Sequence, residues 1–210
     1  MTEYASQATS LSHGNSVSQN TLLDDYDEAD IETPLSLAGN PWTPPENLFR
    51  IAVDSDQYDD ENVRYAVASN PHTPPEALVF LASDGSSDVR RMVAKHKAIT
   101  ESVSELLAAD EDYIVRATLA SNEKASTEIL DTLAGDEEWL VRNAVAGNRT
   151  TATTTLDGLS TDEDYVVRGM VAVNSHTSKN VLEQLALDDN EIVRNAAQHH
   201  LSRQDPSLAR

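Results

Sequence analysis

"DEDYIVRATLASN" at residues 110–122 and "DEDYVVRGMVAVN" at 162–174 are one skeleton written twice in the same chain. Both put Val-Arg in the same slot. The pair recurs at Val63-Arg64, Val89-Arg90, Val115-Arg116, Val141-Arg142, Val167-Arg168 and Val193-Arg194, always 26 residues apart. Other columns keep step. Three residues after each arginine stand Val67, Val93, Leu119, Val145, Val171 and Ala197, and six after it Asn70, His96, Asn122, Asn148, Asn174 and His200. Leu81, Leu107, Leu133, Leu159 and Leu185 align, as do Asp84, Asp110, Asp136, Asp162 and Asp188. A fixed period of this size, held without insertion, is the signature of a repeat architecture in which each unit packs on its neighbours. The chain reads as a solenoid.

Residues 110–135 give the unit. Ile114, Val115, Thr118 and Leu119 form one face of a short helix. Asp110 precedes it as the expected N-cap, and Asn122 follows as a residue that tolerates the left-handed conformation of a helix end. Ile129, Leu130, Leu133 and Ala134 mark a second amphipathic helix. In the turns "NPWTPPENL" and "NPHTPPEAL", Thr43 and Thr73 are expected to cap that second helix, with proline in its first positions, where a missing N–H costs nothing. Two helices of about ten residues are marginal in water. Stacking must therefore supply the burial, so stability becomes a sum over units and interfaces.

The ends differ. The last unit carries Ala197-Gln198 in place of the core Val-Ala pair and continues into His199-His200. Near the start, Pro34 stands where the arginine would be, and "DSDQYDDEN" (54–62) carries four extra residues, read as a loop insertion. Three segments follow: a disordered acidic N-terminal tail over 1–33, a helical repeat tract over 34–200, and a C-terminal tail over 201–210. The first has seven acids and no base, a composition that favours disorder.

The pattern VRxxVAxNPxTPxExLxxLAxD, clearest at 63–84, resembles the leucine-rich repeat variant family. The resemblance spans about 34–200, with HEAT-like helical repeats as the nearest alternative. It implies an all-α, right-handed superhelical solenoid of about six two-helix units, one layer α and the other α or 3-10, and no β-sheet. Some family members hold an iron–sulfur cluster, which needs thiolate ligands. This chain has no cysteine, so no such cofactor is expected.

Lacking cysteine, the chain suits a reducing cytoplasm. No run of 18 apolar residues marks a membrane span. Net charge is −21, with −14 on residues 34–210 (15 basic, 29 acidic). That disfavours nucleic-acid phosphates and anionic lipid surfaces, and favours partners with a basic surface.

The arginine column is the first candidate site, as an anion-binding track. Asp112 precedes Arg116 by four residues, as Glu138 precedes Arg142 and Asp164 precedes Arg168, the favourable order for a helical ion pair. The period explains the registry without a ligand, so Arg64, Arg90, Arg116, Arg142, Arg168 and Arg194 are read as structural, along with Asp84, Asp110, Asp136, Asp162 and Asp188. The second candidate is the row Tyr113, Trp139 and Tyr165, three residues before the arginine in three successive units. With ten aromatics in the chain, such a row is a plausible partner strip, because Tyr and Trp are enriched at interface hot spots. Asp54 and Asp56 alternate as in a calcium loop but lack its glycine, and a solvated loop is expected there. His199-His200 suggest no metal. No nucleophile elbow, phosphate loop or zinc-protease motif is present.

The function these features favour is a non-enzymatic, cytoplasmic scaffold that binds a protein or peptide on the solenoid surface, as a monomer or with weak self-association. "NTLLDDYDEADIETP" in the tail, apolar residues among acids, also suits binding to a basic or grooved partner. The alternatives are an acidic mimic of nucleic acid acting on a DNA-binding protein, and a HEAT-like nucleic-acid binder or glycosylase, which would need a basic groove.

Overall fold

The reason the units stack lies in the columns. Each repeat offers Val, Val (or Leu) and Ala at fixed helical spacing, and the Val and Ala side chains of those columns are sealed from solvent. The computed structural model describes residues 33–57 and 60–204, and from Pro34 onward these belong to the unit Pro34–Arg210. It shows thirteen helices and, among the described residues, no strand.

A half-unit, α1 (Pro34–Gly39), opens the array. The first-layer helices then follow as α3 (Glu61–Ser69), α5 (Ser87–Lys95), α7 (Tyr113–Ala120), α9 (Trp139–Gly147), α11 (Tyr165–Val173) and α13 (Glu191–Gln204). Between them lie the second-layer helices α2 (Pro45–Gln57), α4 (Pro75–Leu81), α6 (Glu101–Ala108), α8 (Thr127–Leu133), α10 (Thr153–Leu159) and α12 (Lys179–Leu185). Each first-layer helix packs on the one before and the one after. The second layer packs more loosely along its own row. Ala68, Ala94, Ala120, Ala146 and Ala172 are fully buried where the first-layer helices meet. An alanine there lets two backbones approach, and a larger side chain would overpack the interface.

Several local expectations are corrected. Both layers are α-helical among the described residues, so the 3-10 option for the second layer is not taken. The extra acidic residues do not make a simple loop. α2 lengthens to Gln57, which places Asp54 and Asp56 on a helix, and α3 starts at Glu61 with Asp60 as its cap. The remainder of that loop expectation, residues 58 and 59, lies outside the described residues, as does the tail expected over 1–33 except Thr33. The last helix runs to Gln204, past residue 200, where the repeat tract was expected to end.

The turn chemistry also differs. Asp110 is not the cap of α7. That role belongs to Asp112, whose carboxylate accepts the Ile114 N–H at 2.8 Å. Asp164 does the same for Val166 in α11. Thr73 does not cap α4, where Pro74 is the N-cap and Pro75 the first residue. Its hydroxyl instead donates back to the Val67 carbonyl, closing the end of α3. Thr43, Thr151 and Thr177 repeat this contact six residues back, each at 2.6 Å. Helix ends leave carbonyls without partners, and the threonine supplies one.

Candidate interaction surface

Asn148 shows how the units are tied. It ends α9 in an extended conformation (φ −72°, ψ 133°), not a left-handed one. Its Nδ2 donates to the Ala120 carbonyl at 2.7 Å and the Asn122 carbonyl at 3.0 Å, both in the preceding unit, while Oδ1 accepts the Thr150 N–H. Asn70, Asn122 and Asn174 make the same reach. His96 stands in for asparagine. Its Nδ1 accepts from the Ala98 N–H, so Nε2 carries the proton and donates to the Asn70 carbonyl at 2.9 Å. One side chain thus satisfies backbone groups on both sides of a buried seam, where each orphaned group would cost about 1–3 kcal/mol.

The arginine column answers its own question by geometry. Arg116 does not pair with Asp112. Its Nε and Nη2 donate to the two carboxylate oxygens of Asp136, 20 residues on, at 2.6 and 2.9 Å. Its Nη1 donates to the backbone carbonyls of Asp110 and Glu111. Arg90–Asp110, Arg142–Asp162 and Arg168–Asp188 repeat the two-pronged pair, and Arg64 meets Asp84 at 2.6 Å. Each aspartate carboxylate also accepts the N–H two residues ahead, as Asp136 does from Glu138. The aspartate receives one unit's arginine on its side chain and the next unit's arginine on its carbonyl. A continuous ladder of alternating Arg and Asp therefore runs along one edge of the array.

That ladder has little left to offer an anion. The paired arginine side chains are no more than 14% exposed, and every nitrogen of Arg116 donates inward. The hydrogen bond to the paired aspartate raises the guanidinium pKa of Arg90, Arg116, Arg142 and Arg168 above its ordinary value, against a smaller lowering by burial. Burial pushes the carboxyls of Asp136 and Asp162 up, but hydrogen bonds from Arg116 and Arg142, with help from the turn N–H groups, leave both lowered. The Arg168 hydrogen bond leads in bringing Asp188 down to about 2. Among the described residues, Arg194 makes the two carbonyl contacts, with Asp188 and Asp189, and no ion pair.

Beside the ladder lies the aromatic row. Tyr113, Trp139 and Tyr165 are the first residues of α7, α9 and α11, and they are 41, 43 and 43% exposed. Two residues before each stand Glu111, Glu137 and Glu163, all exposed. Glu111 and Glu163 approach the ladder arginines only at 3.8 and 3.5 Å. The turn edge is thus a repeating pattern of an exposed acid followed by a half-exposed ring.

The opposite character appears on the open face of the first layer. An open groove of about 1120 Å³ runs across α5, α7 and α9 to α11. Most of its lining falls two residues before the arginine, one, two and five residues after it, and in the turn beyond, where the units differ from one another; Asn122 and Asn148 of the recurring column border it as well. Among the described residues, no group of three or more His, Asp or Glu is placed to hold a metal ion, and no helix is long and apolar enough to cross a membrane.

The family model described as "Leucine rich repeat variant" matches residues 61–86, one full period anchored at Arg64. The unit over residues 61–86 is thus similar to a leucine-rich repeat variant. A solved structure described as "a leucine-rich repeat variant with a novel repetitive protein structural motif" is 22% identical, aligned over 90% of this chain and 98% of its own, with a TM-score of 0.36. Among curated proteins, none matches.

Within the repeating units, the columns that recur hold the stack through the asparagine and arginine contacts. The groove is not legible in the repeat because most of its lining comes from columns that do not recur. One signal pointed to it. "RRMVAKHK" (90–97) holds four cations within eight residues of a chain whose net charge is −21.

Proposed function

We propose that this protein is a non-enzymatic cytoplasmic scaffold that binds a protein with a basic surface along the turn edge of its repeats. The observation that carries the reading is the exposed row Tyr113, Trp139 and Tyr165, each preceded by an exposed glutamate. Aromatic side chains bring large contact area at low conformational cost, which is why they dominate interface hot spots. The flanking acids speed the approach of a basic partner and fix its register. Rings in neighbouring units repeat one local geometry, so a partner can engage two or three at once.

The test is affinity capture from native extract with wild type, Trp139→Ala and Trp42→Ala. Trp42 is 87% exposed but lies outside the row, so its variant controls for general stickiness. A basic protein retained by wild type and Trp42→Ala but lost with Trp139→Ala supports the reading. Retention unchanged by Trp139→Ala contradicts it. The regular column of exposed acids, with Glu111, Glu163 and Asp189 each about nine-tenths exposed, supports a second reading as a nucleic-acid mimic. In that case the captured protein is DNA-binding, and duplex DNA displaces it from the column.

A further inference from the structure

Outside the ladder the chain has nine basic residues, and four of them, Arg91, Lys95, Lys97 and Lys124, line the groove on the first-layer face. Glu123 is the one acid in its lining. Arg91 shares its charge with Asp88 at 2.7 Å. Lys95, Lys97 and Lys124 are exposed, and none of the three makes an ion pair among the described residues. In a protein with a net charge of −21, four of the nine basic residues outside the ladder surround one hollow.

The floor of that hollow is apolar. Met92, Ile114, Leu140 and Met170 are all half-buried there. The depth comes from small residues beside them. A Cβ added at Gly147 would meet the Met170 sulfur at 3.4 Å, so the glycine makes space that the methionine borders. Methionine is unbranched and polarisable, and adapts its shape to what it packs against. Arg91 Nε and Asn143 Oδ1, both in the wall, are buried without a hydrogen-bond partner. Buried polar atoms left in this way are costly, and they cluster in this wall, away from the saturated seams.

We infer that this groove docks an acidic amphipathic segment of a partner protein. Its apolar side chains lie on the Met92, Ile114, Leu140 and Met170 floor, and its carboxylates face the lysine rim. The groove is larger and more open than small-molecule pockets, which run to roughly 300–1,000 Å³. An amphipathic segment laid into an apolar groove is an established mode of recognition. A nucleic acid satisfies the rim but not the floor, and its phosphates meet the repulsion of the −14 carried by residues 34–210. This surface is separate from the aromatic row and attracts the opposite charge, so it stands or falls independently of the function proposed above.

The experiment uses the full chain and a labelled synthetic helical peptide with leucine on one face and glutamate on the other, read by fluorescence anisotropy at physiological salt. A matching peptide with lysine in place of glutamate is the control. The glutamate peptide is expected to bind and the lysine peptide not to. Reversing the rim with Lys95→Glu, Lys97→Glu and Lys124→Glu together is expected to weaken binding by about tenfold or more, while Trp139→Ala leaves it unchanged. The three lysines are exposed, so an unaltered circular dichroism spectrum is expected to show that the fold survives. Equal binding of both peptides, binding insensitive to the rim reversal, or no binding of either overturns the inference. So does tighter binding of a duplex DNA or RNA oligonucleotide than of the peptide, or self-association abolished by the same reversal.

Discussion

The ladder edge and the groove face lie on the same layer of helices and obey opposite rules. Along the ladder the side chains repeat, and each guanidinium of the interior rungs donates to a carboxylate and to backbone carbonyls. In the groove the positions vary from unit to unit, and two polar atoms in the wall lack partners. Where the repeat is strict, the residues are spoken for by the fold. Where it lapses, a surface is free to bind. In a solenoid the period itself therefore separates structural residues from candidates for recognition.

The largest effect that would break this contrast is at a central rung. Arg116→Ala strands the Asp136 carboxylate in a buried position and is expected to cost about 3–5 kcal/mol. Arg194→Ala, at the rung that among the described residues holds carbonyls only, is expected to cost about 1 kcal/mol. Urea unfolding of both variants measures the difference. Equal losses at the two rungs would mean that the carboxylate pairs contribute nothing special.

Next in size is the asparagine seam. Asn148→Ala removes both donors to the preceding unit and is expected to cost about 1–3 kcal/mol. Asn148→His is expected to recover part of that loss, because His96 occupies the equivalent place with both ring nitrogens engaged.

The ladder also predicts acid sensitivity. An aspartate whose pKa is lowered in the fold binds its proton more weakly there than when unfolded. Its stabilising share is complete above the unfolded carboxylate's pKa and is lost as pH falls through the folded value, about 2 for Asp188. Exposed acids of this −21 chain are neutralised over the same range, so the informative quantity is a difference. The stability gap between wild type and Asp188→Asn is expected to be constant from neutral pH to about 4 and to close below that. A gap that widens as pH falls would reverse the assigned sign.

The smallest effect belongs to the groove. Lys95→Glu is expected to change unfolding free energy by less than about 0.5 kcal/mol, despite its reversed charge. A loss as large as that of Asn148→Ala would make the lysine structural and erase the contrast between the two surfaces.

How far the sequence could be read follows from what its columns encode. The 26-residue registry exposed the stack, the two-helix unit and the buried Val and Ala columns. It did not expose the arginine's partner. Within a helix the neighbour four residues back is the visible choice, so Asp112 looked like the partner of Arg116; the true one, Asp136, begins the next turn 20 residues on. The same blindness moved the cap from Asp112 to Asp110, because two aspartates two residues apart share one turn and only the backbone shows which faces the helix. Asn122 looked like a left-handed stop because its bonds reach 26 and 28 residues back, to the His96 and Ala94 carbonyls. Tyr113, Trp139 and Tyr165 were legible as a row, and their exposure fits a surface role. The groove was the least legible feature. It depends on what four unequal units place side by side.

The central claim is that the arginine column stabilises the stack through the aspartate 20 residues ahead. A double-mutant cycle on Arg116→Ala and Asp136→Ala, with unfolding free energies from urea titration, tests it most directly. A coupling of about 2 kcal/mol between the two positions is predicted. A coupling near zero, or a larger one between Arg116 and Asp112, would contradict the account.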